Sequence, residues 1–318
     1  MTLHACQPGY EAFLAKELPM GALERGEGWV RADQGSFPDL CFAHLSLSEP
    51  NELRGETARK LAQALTDFLM TTSRGEKYEQ AWPLVVEGAL GLERRARGVQ
   101  DAFLDLTKAR MARVAKLAAP GRPPRGEARG LFAYLAGDDR LYASRRALFG
   151  GQRRMADDPR APSRSYLKIE EAYAVLGAEP REGEAVVDLG AAPGGWSFSA
   201  AKRGARVLAI DNGPLKAGAA DNPLIEHRME DAFKCEASAD WLFCDMVEDP
   251  DRVLGLLEGW LARGGCRRFV VNLKFGRHDP LPLLRRARSL KDRCELLLAR
   301  HLYHDREELT LVGDLPWS

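Results

Sequence analysis

No stretch of this chain approaches the roughly 18 consecutive apolar residues that a membrane-spanning helix needs. The opening MTLHACQPGYEAFLAKEL also lacks the uninterrupted apolar core of a secretory signal. A cytoplasmic location with no membrane partner is therefore expected. Cys6, Cys41, Cys235, Cys244, Cys266 and Cys294 form no CxxC pair, which argues against a zinc knuckle or a redox motif. They are expected to be mostly reduced, buried and apolar in character. The histidines offer no HxxxH or similar spacing, so no metal is expected. A surplus of one charge is missing too, since 46 basic residues face 46 acidic ones for a formal net charge of zero. Binding of a polyanion by bulk charge is thereby excluded, and only a local excess could serve.

Such an excess is present between Arg94 and Lys168, where Arg94, Arg95, Arg97, Lys108, Arg110, Arg113 and Lys116 are followed by Arg122, Arg125, Arg129, Arg145, Arg146, Arg153, Arg154, Arg160 and Arg164. Each alone reads as a solvated surface charge; together they form a stretch along which a nucleic acid could lie. With 318 residues, 45% of them hydrophobic and 29% charged, the chain is long enough for two domains and apolar enough to fold them.

The division is expected near residue 150. Residues 1–150 read as an α+β domain, with strand-like runs at Leu3–Cys6, Trp29–Ala32, Leu40–Leu47 and Trp82–Val86. Helical stripes occur within Gly55–Thr71, through Leu61, Leu65, Phe68 and Leu69, and within Gln100–Ala119, through Leu104, Met111, Val114 and Ala118. Both stripes are expected to be core. Pro120–Gly130 reads as a loop, and Leu131–Leu135 with Arg140–Ser144 as a hairpin around Gly137-Asp138-Asp139. Gly150–Ser165 reads as the linker. Residues 151–318 then alternate. Helices are expected at Ile169–Leu176, Trp196–Arg203, Arg252–Ala262 and Leu281–Arg293. Strands are expected at Ala185–Leu189, Arg206–Ile210, Trp241–Cys244, Arg268–Leu273, Leu296–Leu302 and Leu309–Val312, with an apolar segment at Ile225–Met229. That alternation predicts an α/β, Rossmann-like fold with a mostly parallel seven-stranded sheet and its ligand at the carboxyl ends of the strands.

Val186-Val187-Asp188-Leu189 runs directly into the small-residue loop Gly190-Ala191-Ala192-Pro193-Gly194-Gly195-Trp196, which opens a helix. Glycines let a ligand approach the backbone, and the helix start offers unpaired N–H groups. Asp211 ends the next strand about 20 residues on, the offset at which a carboxylate meets a nucleoside ribose. The loop lacks GxGxxG, and Asp188 would repel a pyrophosphate, so S-adenosylmethionine with its cationic amino-acid end suits the site better than a nicotinamide dinucleotide. Asp231, after the third strand, is placed to accept a hydrogen bond from an adenine amino group.

Asp245 and Lys274 end strands of the same sheet, Glu308 lies near the last strand, and Lys168 precedes the first. With the loop Asp188–Ser197, DLGAAPGGWS, this set resembles the Lys-Asp-Lys-Glu tetrad of the FtsJ-like ribose 2′-O-methyltransferases. Within them the sequence is most similar to the RlmM branch, which modifies a cytidine in large-subunit (23S) ribosomal RNA. Ala161-Pro162-Ser163-Arg164-Ser165, Asp211-Asn212-Gly213-Pro214, Cys244-Asp245-Met246-Val247-Glu248, Asn272-Leu273-Lys274 and Leu302 through Glu308 carry that resemblance. It implies that Ser165, Gly190, Ala192, Pro193, Gly194, Gly195, Trp196, Asp211, Asp231 and Asp245 contact S-adenosylmethionine, and that Lys168, Asp245, Lys274 and Glu308 are catalytic with Lys274 as base. Glu307 competes with Glu308. The alternation Glu308-Leu309-Thr310-Leu311-Val312 favours Glu308, because a one-residue shift turns a strand side chain to the other face. The resemblance further implies a THUMP-like RNA-binding domain in residues 1–150, of which Cys6-Gln7-Pro8-Gly9-Tyr10-Glu11 looks like the opening turn into a helix.

The function expected is 2′-O-methylation of a ribose in ribosomal RNA, free or in an assembly intermediate, by a monomer. A different RNA such as a transfer RNA, a non-catalytic RNA-binding adaptor and a nicotinamide-dependent oxidoreductase are the competing readings. Base methylation is disfavoured, since there is no Asn-Pro-Pro-Tyr loop and no Pro-Cys nucleophile, Cys244 lacking the proline. His301 and His304 are expected to serve structure or RNA contact.

Overall fold

The computed structural model describes residues 1–33 and 39–316, which divide into two compact units, Met1–Gly150 and Gly151–Ser318. The first unit is α+β, as its sequence pattern predicts, and is built on a nine-stranded mixed sheet. Helices Ala58–Thr72 and Glu93–Arg110 pack together and bury Leu61, Leu65, Leu69, Val99 and Phe103 with Leu131 and Leu141 of the sheet. Thr57 caps the first of these, its Oγ1 accepting from Lys60 N at 3.1 Å.

Three expectations need correction here. The second helix starts earlier, at Glu93, and breaks at Met111 before a short turn Ala112–Leu117. Its buried face is therefore Ala96, Val99, Phe103 and Thr107, while Leu104, Met111 and Val114 are only half-buried. The run Leu40–Leu47 becomes a strand only at Leu45–Ser48, because the Glu17 carboxylate accepts from Cys41 N at 3.0 Å and Phe42 N at 3.1 Å and takes the place of strand pairing. The loop Pro120–Gly130 is shorter than expected, since a long strand already starts at Gly126 and runs to Gly137.

The second unit holds a seven-stranded sheet: β1 Ala185–Leu189, β2 Arg206–Ile210, β3 Ile225–Arg228, β4 Ala239–Cys244, β5 Cys266–Lys274, β6 Leu296–Arg300 and β7 Glu308–Asp314. Their order is β3-β2-β1-β4-β5-β7-β6, with β1 to β5 parallel and β7 antiparallel to both its neighbours. The mostly parallel sheet read from the alternation is thus present. Four helices belong to it: α1 Tyr166–Leu176, α2 Gly195–Ala201, α3 Pro250–Ala262 and α4 Leu281–Arg288. Where one long helix was expected over Leu281–Arg293, α4 passes into a 3₁₀ turn at Ser289. Asp249 caps α3, its Oδ1 accepting from Asp251 N and Arg252 N at 3.0 and 3.1 Å.

The apolar runs of β1, β4 and β5 are nearly continuous because helices cover both faces of a parallel sheet. Ile169, Tyr173, Val186, Trp196, Val207, Trp241, Phe243, Val270 and Val312 form one buried cluster. At about 25 cal/mol per Å² of apolar surface removed from water, such burial outweighs any single polar contact in holding the unit together. Strand order reverses beside β1, so the carboxyl ends of β1 and β4 diverge and open a crevice there.

Candidate active site

Parallel pairing brings Leu189 of β1 level with Cys244 of β4 and with Ile210 of β2, so Gly190, Asp211 and Asp245 emerge along one edge. Gly190 has φ 74°, and a Cβ there would stand 3.0 Å from Met246 Cα, so neither the conformation nor the space admits a side chain. A Cβ on Gly195 would lie 2.8 Å from Ser165 Oγ and 3.1 Å from Tyr166 N, so the loop and the start of α1 can meet only through a glycine. Trp196 fastens that meeting, its Nε1 donating to Ser165 O at 3.0 Å.

Asp211 Oδ2 accepts from Ala192 N at 3.0 Å and its Oδ1 from Gly213 N at 2.7 Å, so the carboxylate ties the ends of two loops. Asp231 is exposed and caps a 3₁₀ turn through Phe233 N at 3.0 Å. Between these neighbourhoods lies a small apolar pocket of about 280 Å³, lined by Pro214, Leu215, Ala220, His227 and Met229. Asp188 is buried inside the sheet edge. Its Oδ2 accepts from Ser197 Oγ at 2.6 Å, while its Oδ1 is buried without a hydrogen-bond partner. Burial, reinforced by Asp245 and Asp211, pushes its pKa up to about 7 against the opposing bond from Ser197. A half-satisfied buried carboxyl beside a glycine-bent loop and an apolar pocket fits a nucleoside cofactor that carries an amine.

The four tetrad residues come together although they span 140 positions of sequence, from Lys168 to Glu308. Lys168 lies in the first turn of α1, which begins three residues before the expected Ile169. Its Nζ is 2.5 Å from Glu308 Oε1 and 3.6 Å from Asp245 Oδ1. Lys274 Nζ is 2.6 Å from Asp245 Oδ1 and 3.3 Å from Glu308 Oε2. Register explains the meeting. Because β7 is antiparallel to β5, its first residue, Glu308, pairs with the last of β5, Lys274. Glu308 is buried and Glu307 exposed, so the inward carboxylate is Glu308.

Burial disfavours the Lys168 ammonium, but Asp245 and Glu308 outweigh it and raise its pKa. Burial likewise pushes Glu308 upward, and Lys168 and Lys274 more than reverse this, leaving it below the usual carboxylate range. Each lysine is therefore shielded from the other by shared carboxylates. The tetrad opens on a cleft of about 880 Å³ whose walls include Arg164, Lys168, Lys274, Tyr303, Arg306 and Glu308.

Sequence reasoning missed three groups. Asn272, two residues before Lys274 and hence on the same face of β5, accepts from Lys274 Nζ through its Oδ1 at 3.2 Å. Asp305 is buried, and burial together with Glu308 raises its pKa well above the carboxylate range. Glu171 of α1, also buried, accepts from Arg153 N, Tyr303 N and His304 N at 3.0, 2.9 and 3.2 Å. A polar residue inside an apolar run, as in Val270-Val271-Asn272-Leu273, was the available signal for the first. His301 and His304 have structural partners: His301 Nε2 bonds Arg306 O at 2.8 Å, and His304 Nε2 accepts from Met155 N at 3.0 Å. None of the six cysteines is in a disulfide, and Cys294 alone is half-buried. Among the described residues no helix is long and apolar enough to cross a membrane, and no cluster of three metal-ligating side chains occurs.

A Rossmann-like sheet with one antiparallel strand and a nucleoside-type loop defines the methyltransferase class. The FtsJ-like methyltransferase family model matches residues 161–251. The ribosomal RNA large subunit methyltransferase M of Laribacter hongkongensis is 44% identical over 49% of this chain and 48% of its own length. That of Pseudomonas putida is 40% identical over 60% of this chain and 58% of its own. For such relatives the matched part is about half of their length, whereas the Thauera aminoaromatica protein of the same name is 33% identical over 96% of this chain and 93% of its own. A solved magnesium protoporphyrin IX methyltransferase from Synechocystis shares 15% identity over 48% of this chain and 78% of its own, with a TM-score of 0.35. The chain belongs to the ribosomal RNA large subunit methyltransferase M family. It is a methyltransferase with S-adenosylmethionine as cofactor.

Proposed function

We propose that the chain methylates a ribose 2′-hydroxyl of a cytidine in large-subunit ribosomal RNA, free or in an assembly intermediate. The observation that carries this reading is the cluster of two lysines and two carboxylates at the mouth of the 880 Å³ cleft. S-adenosylmethionine supplies a methyl group already activated on a sulfonium. What remains for the protein is to align the hydroxyl and take its proton. Lys274 accepts that proton at Nζ once it is neutral. Asp245 orients its amine at 2.6 Å, and Lys168, held to Glu308 at 2.5 Å, fixes the carboxylate that closes the other side of the cluster. Asp188, Gly190, Ala192, Pro193, Gly194, Gly195, Trp196, Ser165, Asp211, Asp231 and Asp245 hold the cofactor. Asp188 would balance the charge of its cationic amino-acid end and Asp211 would meet its ribose.

Residues 1–150 act as a divergent THUMP-like RNA-binding domain, supported by exposed Arg94, Arg97, Lys108, Arg113 and Lys116 on its helices. The protein works as a cytoplasmic monomer. Incubation with radiolabelled S-adenosylmethionine and unmodified total RNA, followed by alkaline hydrolysis, tests the proposal. A labelled alkali-resistant dinucleotide from large ribosomal RNA is expected. Label in alkali-sensitive nucleotides would move the chemistry to a base, and label in transfer RNA would change the substrate.

A further inference from the structure

Asn272 lies at the centre of a polar network behind the tetrad. It is fully buried on β5, opposite Thr310 of β7, two register positions inward from the Lys274–Glu308 pair and so on the same face. Its Nδ2 donates to Thr310 Oγ1 at 3.1 Å and to Asp305 Oδ1 at 3.2 Å. Thr310 Oγ1 in turn donates to Asp305 Oδ2 at 3.0 Å, and Asp305 Oδ2 also accepts from Leu302 N at 2.9 Å. A flipped amide would turn its NH₂ toward the Lys274 ammonium, donors against donors, and would give up its donated bonds to Thr310 Oγ1 and Asp305 Oδ1. The amide oxygen therefore has one stable direction, toward Lys274 Nζ.

Lys274 Nζ thus has three acceptors: Asp245 Oδ1 at 2.6 Å, Asn272 Oδ1 at 3.2 Å and Glu308 Oε2 at 3.3 Å. An ammonium has three N–H groups and satisfies all of them, but a neutral amine has two N–H groups and one lone pair. One direction must then be vacated. Asp245 makes the shortest contact, and Asn272 is sealed from solvent. Glu308 borders the cleft and is already held at 2.5 Å by Lys168.

We propose that Asn272 is a positioning residue that, with Asp245, keeps the two N–H groups of Lys274 so that its lone pair faces the cleft in the Glu308 direction, where the substrate hydroxyl enters. This rests on the ribose-methylation reading above. In the step itself the hydroxyl proton passes to Lys274 Nζ, its oxygen takes the methyl group, and the sulfonium leaves as a neutral thioether. A neutral amide serves better than a carboxylate at this position. The charged groups around Lys274 are already Lys168 of α1, Asp245 after β4 and Glu308 of β7, with Asp305 bonded to the far end of the Asn272 amide. A further negative charge would hold the proton on the lysine.

The test compares wild type with Asn272→Asp, Asn272→Ala and Thr310→Val, measuring kcat against pH, cofactor Kd, RNA KM, thermal stability and the NMR titration of the Lys274 ε-methylene. Asn272→Asp should move the rising limb of kcat and the lysine titration to higher pH by about one unit, a tenfold loss near neutrality that alkaline pH restores. Asn272→Ala should lower kcat by about 10²-fold with cofactor Kd and RNA KM within about threefold of wild type. Thr310→Val, which frees the amide without removing it, should give a smaller loss of about 3- to 10-fold and keeps the proposal testable if Asn272→Ala unfolds. An unshifted lysine titration and pH profile in folded Asn272→Asp would overturn the proposal. So would losses that follow thermal stability alone. Wild-type enzyme that places no methyl on ribose would defeat the ribose reading instead, and that outcome is seen before any variant is compared.

Discussion

Lys274 and Asp188 carry the sharpest consequences at the level of single residues. Removing the Lys274 amine takes away the base but touches none of the groups around Asp188 and Asp211. Lys274→Ala should therefore lower kcat by at least about 10²-fold while the cofactor Kd, measured by calorimetry, stays within about twofold. Asp188 supplies a pH signature. Its pKa is raised to about 7 in the folded chain, above the ordinary 3.8, so its contribution to stability is fully present below about pH 4 and is lost as pH rises through 7. The apo protein should lose melting temperature between about pH 4 and 7 through this group and level off above that, and Asp188→Asn should flatten that slope. Cofactor affinity should move the opposite way, rising toward pH 7, because an amine binds the ionised carboxylate. Cofactor affinity that is flat with pH would remove Asp188 from the amine site.

The elements decide what these residues meet. A carboxylate at the start of an antiparallel β7 and an amine at the end of β5 face each other because pairing aligns opposite ends of the two strands. Had β7 been parallel, Glu308 would sit at the far edge of the sheet. Helix α1 contributes Lys168 to the tetrad and, one turn on, Glu171 to the backbone N–H groups of Arg153, Tyr303 and His304. Glu171→Gln replaces an acceptor by a group that is half donor. It should destabilise the unit by about 1–3 kcal/mol, the usual cost of a buried unsatisfied group. It should also raise the KM for RNA, because Tyr303 and His304 line the cleft, with cofactor Kd unchanged. Chemical denaturation and steady-state kinetics check the two effects separately.

At the scale of the molecule, each unit has its own hydrophobic cluster, one around Trp241 and Phe243 and two around Phe103 and Phe132. Residues 151–318 expressed alone should fold cooperatively and bind S-adenosylmethionine with affinity within about threefold of the full chain. If basic side chains of residues 1–150 neutralise RNA phosphates, the isolated second unit should bind RNA more weakly. Its log–log salt slope should be shallower by about 0.7–0.9 for each phosphate that is no longer neutralised. An unchanged slope would place RNA binding in the second unit alone.

Most of the second unit was legible from its residues, because strand and helix periods alternate cleanly and a buried parallel sheet writes itself as apolar runs such as Val-Val-Asp-Leu and Phe-Val-Val-Asn-Leu. The loop from Gly190 to Trp196 was legible too, since small residues there answer to local backbone geometry. The first unit was less so. Glu17 satisfies the N–H groups of Cys41 and Phe42 from 24 and 25 residues away, and no local pattern announces a side chain that replaces a strand partner. The sequence by itself determined the α/β class, the cofactor loop and the residue types of the tetrad, because these rest on periodicity and short-range spacing. Only the tertiary structure decided that Glu308 rather than Glu307 turns inward, that Asn272 touches Lys274, and that Asp188 keeps a buried oxygen without a partner. Those facts depend on strand register and burial, which arise between segments far apart in the chain.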